Sequence, residues 1–144
     1  MKNNYFFKRN FSNIYKHASK KSEVTSQILY GEKFNILSKS KKWIKIKSLF
    51  DYYIGYIENK DYVAEHNPKY KIYSLKSNIY NNQNKRIKKF LPFGSQVEEI
   101  NKKKNYIEFE KNKWIKRKDI KIINHKEKNF NKIFKLFLNT KYVW

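Results

Sequence analysis

Residues able to do acid–base or nucleophilic chemistry are few in this chain. Its 144 residues include no cysteine and three histidines, His17, His66 and His125. The absence of cysteine removes a thiolate nucleophile, a disulfide framework and a Cys-based zinc site together. No cofactor or metal is implied. Each histidine lies in a polar stretch and reads as a solvated surface residue. Carboxylates are outnumbered, 12 Asp and Glu against 34 Lys and Arg, so a loop acid becomes a candidate only where something else marks it. One loop is marked in this way. Asp51-Tyr52-Tyr53 sets an acid before two phenols, and it lacks a counterpart in the internal repeat described next. Asp51 there suits an Asx-type turn, its side chain accepting a backbone N–H two residues on.

The elements that position this loop are short β-type runs broken by glycine or charged turns, the pattern of a small all-β fold. Phe34, Ile36 and Leu37 mark one strand. Ser38 to Lys42 is a charged hairpin loop. Trp43 to Lys47 alternates, with Trp43, Lys45 and Lys47 on one face and Ile44 and Ile46 on the other. Asp51 to Gly55 is a tight loop, and Tyr56-Ile57 opens the next strand. Much of this returns downstream. Asn13-Ile14-Tyr15 recurs as Asn78-Ile79-Tyr80, and Leu29-Tyr30-Gly31 as Leu91-Pro92-Phe93-Gly94. Trp43 to Lys47 recurs as Tyr106 to Glu110, and Gly55 to Tyr62 as Lys113 to Ile120. Two copies of one small barrel, 13–66 and 72–123, are therefore expected after a lead-in over 1–12 that holds one strand. Trp43, Tyr56, Tyr106 and Trp114 read as barrel core, and Gly31, Gly55 and Gly94 as turn geometry. After Asn124 the period changes. Phe130, Ile133, Phe134, Phe137 and Leu138 form the stripe of one amphipathic helix within 126–144. That stripe reads as a core face in preference to a membrane-surface anchor.

Composition limits the function classes. The net charge is +22 and the aromatic fraction 18%. A basic chain is an electrostatic footprint for phosphate. Arginine, the residue with a bidentate fork for phosphate and base edges, occurs only at Arg9, Arg86 and Arg117. Lys, Asn, Ile, Tyr and Phe also share A/T-only codons, so nucleic acid is disfavoured as the main partner. The N-terminus has no apolar signal-type core, and no run approaches the roughly 18 apolar residues of a membrane span. A cytoplasmic protein without membrane contact is expected.

Two strings resemble a known family. Ser22-Glu23-Val24, then Gln27-Ile28-Leu29-Tyr30-Gly31-Glu32, then Trp43, then Asp51-Tyr52-Tyr53-Ile54-Gly55-Tyr56-Ile57 are similar to the first bacterial SH3 (SH3b) domain of NlpC/P60 cysteine peptidases. The type resembled is the murein-peptide γ-D-glutamyl-L-diamino-acid endopeptidase. Phe137-Leu138-Asn139-Thr140-Lys141-Tyr142-Val143-Trp144 resembles the segment just before that family's catalytic cysteine motif. Tyr52 stands where the family has glycine, Tyr56 where it has tryptophan, and Lys141 where it has proline.

The resemblance implies a mainly β fold, two SH3b-like barrels in tandem followed by one C-terminal amphipathic helix. It implies a chain cut off at the start of a catalytic domain, the nucleophile lying beyond Trp144. Such a chain is inactive alone and is the recognition and pocket-wall part of an enzyme of wall-peptide recycling. In the family the first barrel closes one end of the catalytic cleft and recognises the free N-terminal L-Ala of the murein peptide. Carried over by position, Tyr53 meets the substrate amine, Glu23 supplies a carboxylate, and Asp51 holds the loop. The competing expectation is a basic SH3-like module that binds polyanions, nucleic acid or an anionic wall polymer, supported by charge and aromatic content alone.

Overall fold

The computed structural model describes residues 4–125. The helix expected within 126–144 and the Phe137–Trp144 string lie outside the described residues. Seven strands form the first sheet: β1 (Asn4–Phe7), β2 (Phe11–Tyr15), β3 (Val24–Leu29), β4 (Lys33–Lys39), β5 (Trp43–Ser48), β6 (Ile54–Glu58) and β7 (Tyr62–Val63). They are ordered β3-β2-β6-β5-β4-β1-β7, and every pairing is antiparallel. Period-two patterning decides which face is core. In β5 the buried positions are Ile44, Ile46 and Ser48, while Trp43, Lys45 and Lys47 point outward, as the alternation requires. Phe7, Ile14, Ile28, Phe34, Ile44, Ile46 and Ile57 form one buried cluster. The strand expected in the lead-in is β1. It is internal to the sheet, paired with both β4 and β7.

The rest of the described chain makes two further sheets. β8 (Tyr70–Ile72), β11 (Gln96–Val97) and β15 (Ile120–Ile122) form one, in the order β11-β8-β15. β9 (Lys76–Tyr80), β10 (Arg86–Pro92), β12 (Asn101–Lys102), β13 (Tyr106–Glu110) and β14 (Lys113–Lys116) form the other, in the order β10-β9-β14-β13-β12. A single 3-10 turn, Arg117–Asp119, separates β14 from β15. Ile72, Ile79, Leu91, Val97, Ile107, Phe109, Ile115 and Ile120 make a second cluster, and Tyr30 from the first half completes it.

Several expectations are corrected here. The barrels do not close: among the described residues no ladder joins β3 to β7 or β10 to β12. The edge strands β7 and β12 have two residues each, too short to carry a ladder round, and short edges also limit pairing with other chains. Of the aromatics read as core, only Trp114 is buried. Trp43, Tyr56 and Tyr106 are half-buried on outward faces, because the odd positions of their strands face away from the isoleucines. Gly55 is not a turn residue. It lies inside β6 opposite Ile46, where a Cβ would sit 2.5 Å from Ile14 Cγ2 and 2.6 Å from the Tyr15 carbonyl. Glycine is needed there for close strand approach.

Candidate functional site

The Asp51 loop is built by local hydrogen bonds. The Ser48 N–H donates to the Tyr53 carbonyl at 2.9 Å, closing the connection between β5 and β6. Within it the Tyr53 N–H donates to Asp51 Oδ1 at 3.4 Å, the Asx geometry that an aspartate two residues upstream allows. Tyr52 adopts φ +60°, a left-handed conformation in which a residue with a Cβ is disfavoured. A second bond ties the loop to the sheet, the Ser26 hydroxyl of β3 donating to Asp51 Oδ2 at 2.9 Å.

A second carboxylate stands beside the same strand. The chain leaves β3 through Tyr30-Gly31 with Gly31 at φ +81°, and Glu32 folds back so that Oε1 accepts the Leu29 N–H at 2.7 Å. Glu32 is only 8% exposed. Burial pushes its carboxyl up to about 7, the Asp51 charge adds to the rise, and the Leu29 N–H opposes it. Glu32 and Asp51 line one groove of about 620 Å³. Its apolar wall includes Val24, Leu29 and Phe50 from the first half and Phe93 from the second. The groove therefore offers two acidic groups within a partly apolar hollow, on a chain that is otherwise strongly cationic. Such a hollow suits a small cation whose remaining surface is apolar.

On the other side of Glu32 lies the joint between the halves. The Gln96 N–H donates to the Tyr30 carbonyl at 2.9 Å, and a Cβ on Gly31 would lie 2.0 Å from the Gln96 carbonyl oxygen. The Tyr30 hydroxyl donates to Glu110, and Lys8 lies 4.7 Å over the Tyr30 ring. His66 belongs to this joint and is 5% exposed, which corrects the expectation of a solvated ring. Its Nε2 is 3.0 Å from the Gln96 carbonyl, and its Nδ1 is 3.4 Å from Glu98 Oε1. Burial lowers its pKa, while the Gln96 carbonyl and Glu98 pull the other way. The polar residues around position 66 concealed this, because sequence alone does not show the second half folding over the ring. His125 is half-buried, edge-on to Tyr73 with ring centroids 5.1 Å apart. His17 is exposed as expected.

The structure distributes the other candidates unevenly. Asp51 lines the groove. Glu23 is exposed, 4.0 Å from Lys16 Nζ, and Tyr53 is 51% exposed. Neither lines the groove, although Glu23 immediately precedes Val24 and Tyr53 follows Asp51 by two positions. Glu32 was missed by sequence reasoning. The signal for it was its place at the end of the Gln27–Glu32 string, directly after a glycine turn. Among the described residues, no group of three or more His, Cys, Asp or Glu side chains could hold a metal ion. No described helix is long and apolar enough to cross a membrane.

Comparison with known proteins agrees with this architecture. Residues 14–61 match the family described as the bacterial dipeptidyl-peptidase SH3 domain. Among solved structures, an NlpC/P60 family protein from Bacillus cereus shares the fold with a TM-score of 0.65 at 9% identity. The match covers 83% of this chain and 56% of that one, so this chain spans little more than half of the solved protein. No curated protein matches. The first half is thus similar in sequence to a bacterial SH3 domain, and 83% of the chain shares its fold with part of an NlpC/P60 family protein.

Proposed function

We propose that this chain is a non-catalytic recognition region accompanying a cysteine peptidase that cleaves the γ-D-glutamyl–diamino acid bond of murein peptides with a free N-terminal L-Ala. In this reading residues 13–66 and 72–123 are two SH3b-like units, and the first is a wall of the substrate cleft. The sequence match over 14–61 supports the SH3b-like part. The observation that carries the substrate reading is the pair Asp51 and Glu32 lining one groove. A substrate ammonium is repelled by a chain of net charge +22 except where carboxylates gather. The apolar wall around the pair suits the methyl group of alanine. Asp51 is the principal ammonium partner, Glu32 deepens the negative potential as it ionises, and Tyr53 and Glu23 stand at the rim.

Titration calorimetry with L-Ala-γ-D-Glu-diamino acid tripeptide tests this on the chain as it stands. The free-amine peptide binds, while its N-acetyl form and the Asp51→Asn variant each lose at least about tenfold in affinity, the equivalent of roughly 1.4 kcal/mol. Equal binding of acetylated and free peptide rejects the ammonium site.

A further inference from the structure

The cations of this chain are unevenly engaged. In the first half Lys8, Arg9, Lys16, Lys20 and Lys60 each lie within 4.0 Å of a carboxylate. Other cations of the same half, Lys39, Lys41 and Lys42 among them, form none of the ion pairs found among the described residues, and at one end of the second half such unpaired cations gather. Lys103 and Lys104, at the tip between β12 and β13, and Lys116, Arg117 and Lys118, at the end of β14, form none of the ion pairs found among the described residues.

Two backbone bonds bring these segments together. The Lys103 N–H donates to the Tyr106 carbonyl at 2.8 Å, closing the tip, and the Arg117 N–H donates to the Asn105 carbonyl at 2.9 Å, docking the turn onto it. Between them is a groove of about 360 Å³ lined by Asn105, Tyr106, Lys116, Arg117 and Lys118. Asp119, the nearest carboxylate in sequence, accepts the hydroxyl of the buried Ser77 at 2.8 Å, and its charge also acts on Lys116. The three cations lining this hollow, with Lys103 and Lys104 on the adjoining tip, repel one another, and a polyanion that displaces their counterions relieves that repulsion.

The neighbouring rings decide which polyanion fits. Lys103 Nζ lies 4.4 Å over Trp114, and Lys116 Nζ 5.5 Å over Tyr80. Tyr80 in turn meets Tyr106 edge-to-face, centroids 5.5 Å apart. Trp114 and Tyr80 each carry one of the chain's own ammonium groups, and Tyr80 and Tyr106 pack edge-to-face, which leaves little ring surface for stacked bases. We propose that the groove binds a polyol phosphate polymer, a chain of phosphodiesters without bases. Arg117 takes a phosphate through its fork, Lys116 and Lys118 flank it, and Lys103 and Lys104 meet the next repeat.

Fluorescence anisotropy with a labelled synthetic oligo(glycerol phosphate) tests this. Three phosphate contacts give a log–log salt slope of about −2, so affinity falls roughly twentyfold between about 50 and 200 mM salt. The Lys116→Gln/Arg117→Gln/Lys118→Gln variant loses at least tenfold, and Lys118→Glu alone, at an exposed position, weakens binding in the same direction. A control removes the same charge at the opposite edge of the sheet, Lys85→Gln/Arg86→Gln/Lys88→Gln around the start of β10, and changes affinity less than twofold. Equal losses in the two triple variants mean diffuse charge and overturn the site. Tighter binding of an oligothymidylate with the same number of phosphates overturns the polymer assignment in favour of nucleic acid.

Discussion

Glu32 is a carboxylate kept largely from water, with one backbone N–H as its fixed partner. Its carboxyl is raised from 4.5 to about 7 by burial, so between those values the folded chain binds more protons than the unfolded one. Its contribution to stability is therefore greatest below pH 4.5 and is lost as pH rises through about 7, an effect on the order of 3 kcal/mol. Glu32→Gln keeps the acceptor for Leu29 and removes the charge. Urea unfolding at several pH values should show the variant gaining on the wild type from pH 5 to 8, and a constant difference would contradict the burial argument. Tyr52 makes a different local point. Its side chain is 66% exposed and its φ is +60°, at the position where the resembled pattern has glycine. Tyr52→Gly relieves about 1 kcal/mol of backbone strain and gives back a similar amount of unfolded-chain entropy. Its unfolding free energy should stay within about 0.5 kcal/mol of the wild type by this balance. Tyr52→Val, β-branched at the same φ, should lose about 1 kcal/mol or more.

At the scale of elements, β5 and β6 show how far patterning reaches. The alternation of Trp43 to Lys47 specified both the strand and its buried face, since a period of two admits one assignment once Ile44 and Ile46 are inside. The glycine in β6 obeys a constraint from another strand. Gly55 faces Ile14 and Tyr15 of β2 at distances that exclude a Cβ, and nothing near Gly55 in sequence announces that approach. Gly55→Ala forces β2 and β6 apart and should cost about 2–3 kcal/mol by overpacking. The readout is thermal unfolding, with reduced near-ultraviolet ellipticity from the adjoining Tyr15–Trp43 pair, whose centroids are 5.9 Å apart. An alanine variant as stable as the wild type would mean that the two strands can separate freely.

For the whole molecule, Tyr30 matters most. It leaves β3 in the first half and is buried in the cluster of the second, 2% exposed. Its ring meets Phe109 edge-to-face at 5.5 Å, and its hydroxyl donates to Glu110. The halves are thereby coupled by packing and by hydrogen bonds, and the acidic groove lies along that seam. Tyr30→Ala should cost about 3–5 kcal/mol, in the range for large aromatic truncations. Hydrogen exchange gives the sharper test: amides around Ile72 and Ile107, far from Tyr30 in sequence, should lose protection. If only first-half amides respond, Tyr30 is not an integral part of the second core.

The mainly β class, the inward isoleucines, the Asp51 turn and the likeness of the first half to SH3b domains were legible in sequence, because each rests on contacts between near neighbours or on a period of two. Tertiary structure alone decided the rest. His66 is buried, Gly55 lies mid-strand, and Glu32 joins Asp51 in one groove. Each of these depends on surfaces brought together from distant parts of the chain, and local pattern does not encode which distant surface arrives. The Asp51 loop could be found by reading residues; its acidic partner appeared only when Gly31 turned the chain back and the second half closed over it.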